Sequence, residues 1–133
     1  MTMPVSSPAA TVTLPSRKDR KTVGVVIRRG PREAPDVEEA LRVALGQTLA
    51  AGRVVVALVE AGVWAAAPAL EVGGPGREIE KHLDMLLELG QELVVEAEAL
   101  RARGIPGVRE GVTTLARTEL LSRLGEADII LNL

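Results

Sequence analysis

Glu96 is the residue best placed to do chemistry in this 133-residue chain. It stands within Glu92-Leu-Val-Val-Glu-Ala-Glu-Ala-Leu-Arg-Ala-Arg-Gly104, which reads as a buried strand turning directly into a short helix with Glu96 at the corner. In an open α/β sheet, sites are built beyond the carboxyl ends of the strands, at such corners. A carboxylate there has three uses. Given a substrate-sized pocket it serves as a general base. Beside Arg28 and Arg29, which follow the first apolar run, it completes a small-anion or metabolite site in which the arginines and a helix end hold the anion. As a plain helix cap it answers the positive end of the helix dipole. Arg28 and Arg29 have a plain reading too, as surface charges flanking a buried strand.

Other chemistries are closed by composition. The chain has no cysteine, which excludes disulfides, thiolate metal sites and thiol nucleophiles together. His82 is the only histidine and falls at the edge of a helical apolar face, so zinc is not expected and an interface or half-buried structural role is. No metal or cofactor is expected. Gly73-Gly-Pro-Gly76 lacks the Lys-Ser/Thr of a phosphate loop. One Trp with no Phe or Tyr gives no platform for stacking bases, and a net charge of -2 gives no global pull toward nucleic acid or anionic membrane. No apolar run approaches the roughly 20 residues that cross a bilayer, and the N-terminus lacks the apolar core of a signal peptide. A cytoplasmic location fits.

The elements that must position these residues follow from hydrophobic spacing. Residues 1–20, rich in Ser, Thr and Pro and running into Arg17-Lys-Asp-Arg-Lys21, read as a flexible, solvated N-terminal tail, with contact to an acidic partner as the alternative. Residues 21–133 form one domain. Val23–Ile27, Val54–Val59, Leu93–Val95 and Ile129–Leu131 are continuous apolar runs, as strands covered on both faces are, and Val112–Leu115 reads as another. Between them lie four helices. The first is capped by Asp36 and ended by Gly52, with Val37, Ala40, Leu41, Ala44, Leu45, Thr48 and Leu49 on one face. The second covers about 77–89 with Ile79, Leu83, Leu86 and Leu87 inward; Met85 and Leu89 widen that stripe beyond what one sheet face needs and suggest a subunit contact. The third, about 97–103, is closed by Gly104 and Pro106, and the fourth runs from a Thr118 cap through Leu124.

Five strands alternating with four helices predict a three-layer doubly wound α/β fold, a five-stranded parallel sheet of flavodoxin-like type with right-handed crossovers and the expected order 2-1-3-4-5. That order puts the switch point between the first and third strands. Ile27–Arg32 and Glu96–Glu98 then line one crevice, where Arg28, Arg29, Glu96 and Glu98 are neighbours. Gly62 and Trp64, at the turn after the second strand, open an Ala/Gly/Pro-rich loop to Gly76 that could close over the crevice, contact another subunit or pack on the sheet edge.

These motifs carry a resemblance. A first strand ending near a Pro, an Ala/Leu-rich first helix, Glu60-Ala-Gly-Val63 after the second strand, Leu100-Arg-Ala-Arg-Gly104 after the third and the closing Glu126-Ala-Asp-Ile-Ile130 are together similar to the DsrE/DsrF-like sulfur-relay family, over about 23–133. In its active members a cysteine eight residues before the helix-ending Gly carries persulfide sulfur. Counting back from Gly104 places Glu96 there, and a second family cysteine would fall at Ala99. A carboxylate cannot accept or donate sulfane sulfur. The resemblance therefore implies a non-catalytic subunit, a scaffold or regulatory partner, forming a homo-oligomer (trimer or hexamer) or a hetero-oligomer with related subunits. The anion or metabolite binder, and a hydrolase or lyase-type enzyme with Glu96 as base, stand as alternatives.

Overall fold

The computed structural model describes residues 21–68 and 74–133; the tail expected over residues 1–20, and Gly73 of the glycine-rich run, lie outside the described residues. Five strands, β1 (Thr22–Ile27), β2 (Arg53–Leu58), β3 (Glu92–Glu96), β4 (Thr113–Leu115) and β5 (Ile129–Asn132), form one sheet, and every neighbouring pair is parallel. The helices between them are α1 (Ala34–Ala51), α2 (Gly74–Glu88), α3 (Ala97–Ala102) and α4 (Arg117–Gly125), with short 3-10 helices at Pro31–Glu33 and Glu60–Ala66. No helix among the described residues is long and apolar enough to cross a membrane.

The period of two along each strand sorts the apolar runs into two cores. Val23, Val25 and Ile27 of β1, Val54, Val56 and Leu58 of β2, and Leu93 and Val95 of β3 pack with Val37, Leu41 and Ala44 of α1, Ile79, Leu83 and Leu86 of α2, and Leu100 of α3. The alternate residues Val26, Val55, Ala57 and Val94 meet Leu120 and Leu124 of α4, with the partly buried Val59 and Leu115 packed alongside. Gly24 belongs to this second face, where Leu124 lies 3.0 Å from the position a Cβ would take, so glycine lets α4 come close to the sheet.

The strand order is β4-β3-β2-β1-β5, which corrects the expected 2-1-3-4-5. The chain steps in one direction through its first four strands and reverses once, to lay β5 against β1. Right-handed crossovers then put α1, α2 and α3 on one face and α4 on the other, as the two cores record. An apolar helical stripe suits either face of a sheet, so periodicity carries no information about the direction of each step.

Boundaries shift for local reasons. α1 begins at Ala34, directly after the 3-10 turn, so Asp36 lies inside its first turn instead of capping it. α2 begins at Gly74, earlier than expected, and α4 begins at Arg117 with Ala116 as its cap residue, not Thr118. Gly104, at φ 67°, closes α3, and the Ile105 N–H returns to the Leu100 carbonyl. Met85 of α2 and Leu89 just past its end are about half exposed.

Candidate functional site

Each of the five strands ends in, or is followed within two residues by, a polar side chain, and these meet along the carboxyl edge of the sheet. From one edge to the other they are Asn132 of β5, Arg28 after β1, Glu60 after β2, Glu96 of β3 and Arg117 after β4. Arg28 Nε donates to Asn132 Oδ1 at 3.1 Å and its Nη1 to Glu60 Oε2 at 2.8 Å. The Glu60 N–H donates to Glu96 Oε1 at 3.2 Å, and Arg117 Nε donates to Glu96 Oε2 at 2.5 Å. The Arg117 N–H in turn donates to Glu98 Oε1 at 2.8 Å. One polar chain thus ties all five strand ends together.

Glu96 is the single buried charged residue among the described residues, 3% exposed. An uncompensated buried carboxylate is costly, and it is tolerated where its oxygens are paired; here each oxygen has a donor on a different element. Glu96 occupies the cap position of α3, where the capping reading put it, and makes no side-chain capping bond there. Glu98, in the first turn of α3, is a carboxylate held below its ordinary value, first by its own backbone N–H and then by that of Arg117. The Arg117 guanidinium is pushed above its ordinary value by its bond to Glu96.

Glu60 holds φ at 50°, in the left-handed region that L-residues other than Asn and Asp seldom visit. Its N–H and its side chain are both engaged in the chain just described, which holds the strained turn in place. Two residues on, Gly62 is buried against β1: a Cβ there would stand 2.2 Å from the Ile27 carbonyl oxygen. The 3-10 helix is therefore pressed against the end of β1, with Val63, Ala65 and Ala66 fully buried and Trp64 left 44% exposed.

The crevice expected between β1 and β3 is not formed. β2 lies between them, setting their ends about 10 Å apart. Arg28 and Arg29 diverge, because consecutive residues leave a strand on opposite faces. Arg28 joins the polar chain on the α4 face, while Arg29 pairs with Asp36 at 3.0 Å on the α1 face. Neither arginine touches Glu96 or Glu98; the partner of both carboxylates is Arg117. On the α1 face Arg29 and Asp36 line a groove of about 350 Å³ together with Ile27, Val37, Ala40, Val43 and Leu133. Gly62 and Trp64 line neither the groove nor the polar chain. His82 lies on α2, its Nδ1 2.6 Å from the Glu78 carbonyl oxygen. No cluster of three or more His, Cys, Asp or Glu fit to hold a metal occurs among the described residues.

Glu60, Arg117 and Asn132 were not singled out from sequence. The signal that could have found them is positional, since each stands at or just past the end of an apolar or β-branched run.

No protein family model matches the chain, and no curated protein matches it. Its fold is shared with solved structures, among them the crystal structure of the E. coli ychN protein, with a TM-score of 0.72 at 19% identity over 85% of this chain and 99% of that one.

Proposed function

We propose that this chain is a non-catalytic subunit of DsrE/DsrF-like type, an oligomeric scaffold or regulatory partner for intracellular sulfur transfer in the cytoplasm. The observation that carries this reading is the state of Glu96. It stands where the resemblance puts the sulfur-carrying cysteine, and both of its oxygens are committed to structural partners, the Glu60 N–H and Arg117. The fold shared with the E. coli ychN protein is compatible with the same reading.

The alternatives find less support. An anion site would need free cations, but Arg28 is bound by Glu60 and Asn132, and Arg29 by Asp36. A general base needs a carboxylate open to substrate, and Glu96 is buried with a donor on each oxygen.

The test is sulfur loading. The purified full-length chain is exposed to inorganic polysulfide, desalted and weighed intact, alongside Glu96→Cys. The wild type is expected to retain no added sulfur and the variant to retain it. Sulfur retained covalently by the wild type would overturn the non-catalytic reading, and so would turnover of any ester or amide substrate that is abolished by Glu96→Gln.

A further inference from the structure

We propose that residues 104–111, between α3 and β4, form a hinged strap that opens as one unit while the sheet stays folded, and that Arg109 is its latch. The inference does not depend on the function proposed above.

The segment Gly104-Ile-Pro-Gly-Val-Arg-Glu-Gly111 has no regular structure and is bounded by two glycines in the left-handed region, at φ 67° and 94°. Its beginning is anchored by packing, since Ile105 is buried in the main core and its N–H is held by the Leu100 carbonyl. From 106 to 111, every hydrogen bond to another element among the described residues is made by Arg109. Its N–H donates to the Ala66 carbonyl at 2.8 Å, at the end of the 3-10 helix. Its guanidinium reaches α2, where Nη2 donates to Asp84 Oδ1 at 3.3 Å and Nη1 stands 3.9 Å from Glu80 Oε2.

The latch is loose for its depth. The Arg109 side chain is 15% exposed, and its Nη1 is buried with no hydrogen-bond partner. A buried donor left unpaired is a cost that native folds mostly avoid, and a cation so placed is tolerated while opposite charge stands beside it. Glu80 and Asp84, one turn apart on α2, supply that charge. Glu110, the other charged residue of the strap, is exposed and makes no ion pair among the described residues. With the two α2 charges removed, the guanidinium is better placed in water than in the fold. Residues 106–111 then follow it, held by little besides the partly buried Val108.

The strap acts beyond its own residues through the 3-10 helix. That helix begins at Glu60, whose N–H holds Glu96, and ends at Ala66, whose carbonyl holds Arg109; Trp64, the chain's one tryptophan, lies between them. Asp84 is 59% exposed, so a change of charge at the α2 surface passes through the latch to the helix that braces Glu96.

Amide hydrogen exchange followed by NMR on the full-length chain tests this, because Arg109 and Val112 are the N–H groups whose carbonyl partners depend on the closed strap. The proteins compared are the wild type, Asp84→Asn, the pair Glu80→Gln with Asp84→Asn, Arg109→Met, and the pair combined with Arg109→Met. In the wild type the Arg109 amide is expected to exchange faster than the amides of β1 and β2. In the carboxamide pair it should exchange roughly tenfold or more faster again, with β1 and β2 unchanged and Trp64 emission shifted. Asp84→Asn alone, at an exposed position that leaves the fold intact, should give a smaller increase at the same amide. With Arg109→Met, which removes the cation, the carboxamide pair should no longer alter exchange at Val112. An Arg109 amide that exchanges at the β1 rate in the wild type would overturn the strap as an independent unit. An amide unmoved by Asp84→Asn and by the pair, or a Val112 response that persists with Arg109→Met, would overturn the latch.

Discussion

Replacing Gly62 by alanine tests whether the 3-10 helix is truly clamped to the end of β1. The added methyl would sit 2.2 Å from the Ile27 carbonyl oxygen and 2.9 Å from its carbon, both backbone atoms of a buried central strand. A flexible side chain could swing away at little cost; a strand bonded on both sides cannot. The helix must therefore retreat by roughly 1 Å, a strain above the usual ~1–3 kcal/mol for overpacking. That retreat pulls on the Val59 N–H bond to Ile27 and on the Glu60 N–H bond to Glu96 as well. We expect Gly62→Ala to lose about 3–4 kcal/mol, with about 3–5 °C of melting temperature per kcal/mol for a domain of this size. Gly46→Ala is the matched control. It lies within α1 with no atom beyond its own helix backbone and chain neighbours within 4 Å of its would-be Cβ, so it should gain roughly 0.5–1 kcal/mol from helix propensity. Urea unfolding followed by circular dichroism, together with calorimetry, reads both. A Gly62→Ala protein within about 1 kcal/mol of wild type would refute the clamp.

Two further expectations concern the second face and the strand ends. Leu120, 1% exposed, is one of two α4 leucines that close the second core, so Leu120→Ala should cost about 2–5 kcal/mol and show as a lowered urea midpoint. Glu98 has a folded value depressed below its ordinary 4.5; its contribution to stability is thus complete above that value and is lost as pH falls through the depressed one. Between about pH 5 and pH 3, the melting temperature of the wild type should fall further than that of Glu98→Gln, and parallel curves would remove Glu98 from the account.

What was legible in sequence was whatever a short window can hold. The runs Val23–Ile27 and Val54–Leu58 announce strands because both faces are covered, and Ile79, Leu83 and Leu86 announce a helix because their spacing leaves no other common face. Strand order is a property of three-dimensional steps, and the one local hint of it was Gly24, whose missing side chain admits α4 on the second face. The site followed the same division. Glu96 stood out because a charge at the end of a buried run has to be explained. Its partners did not, because pairing Glu96 with Arg117 instead of Arg28 or Arg29 depends on which strand lies beside β3. Once β2 separates β1 from β3, the arginines after β1 are out of reach, and Arg117, after a strand of three residues with exposed threonines, becomes the near cation.

A carboxylate at this corner also constrains what surrounds it. A smaller thiol needs little from its neighbours, whereas a buried carboxylate needs donors on both oxygens. One donor here is a backbone N–H that reaches Glu96 from the turn in which Glu60 holds its left-handed φ, and that turn is pressed close by Gly62; the other is a long guanidinium at the start of α4, which covers the second face. The strained turn, the close-packed glycine and the placement of Arg117 are thus parts of one solution to burying Glu96. A residue kept only for contact with substrate would leave an oxygen open. Here both oxygens join β2 and β4 to β3, so this corner holds the strand ends together.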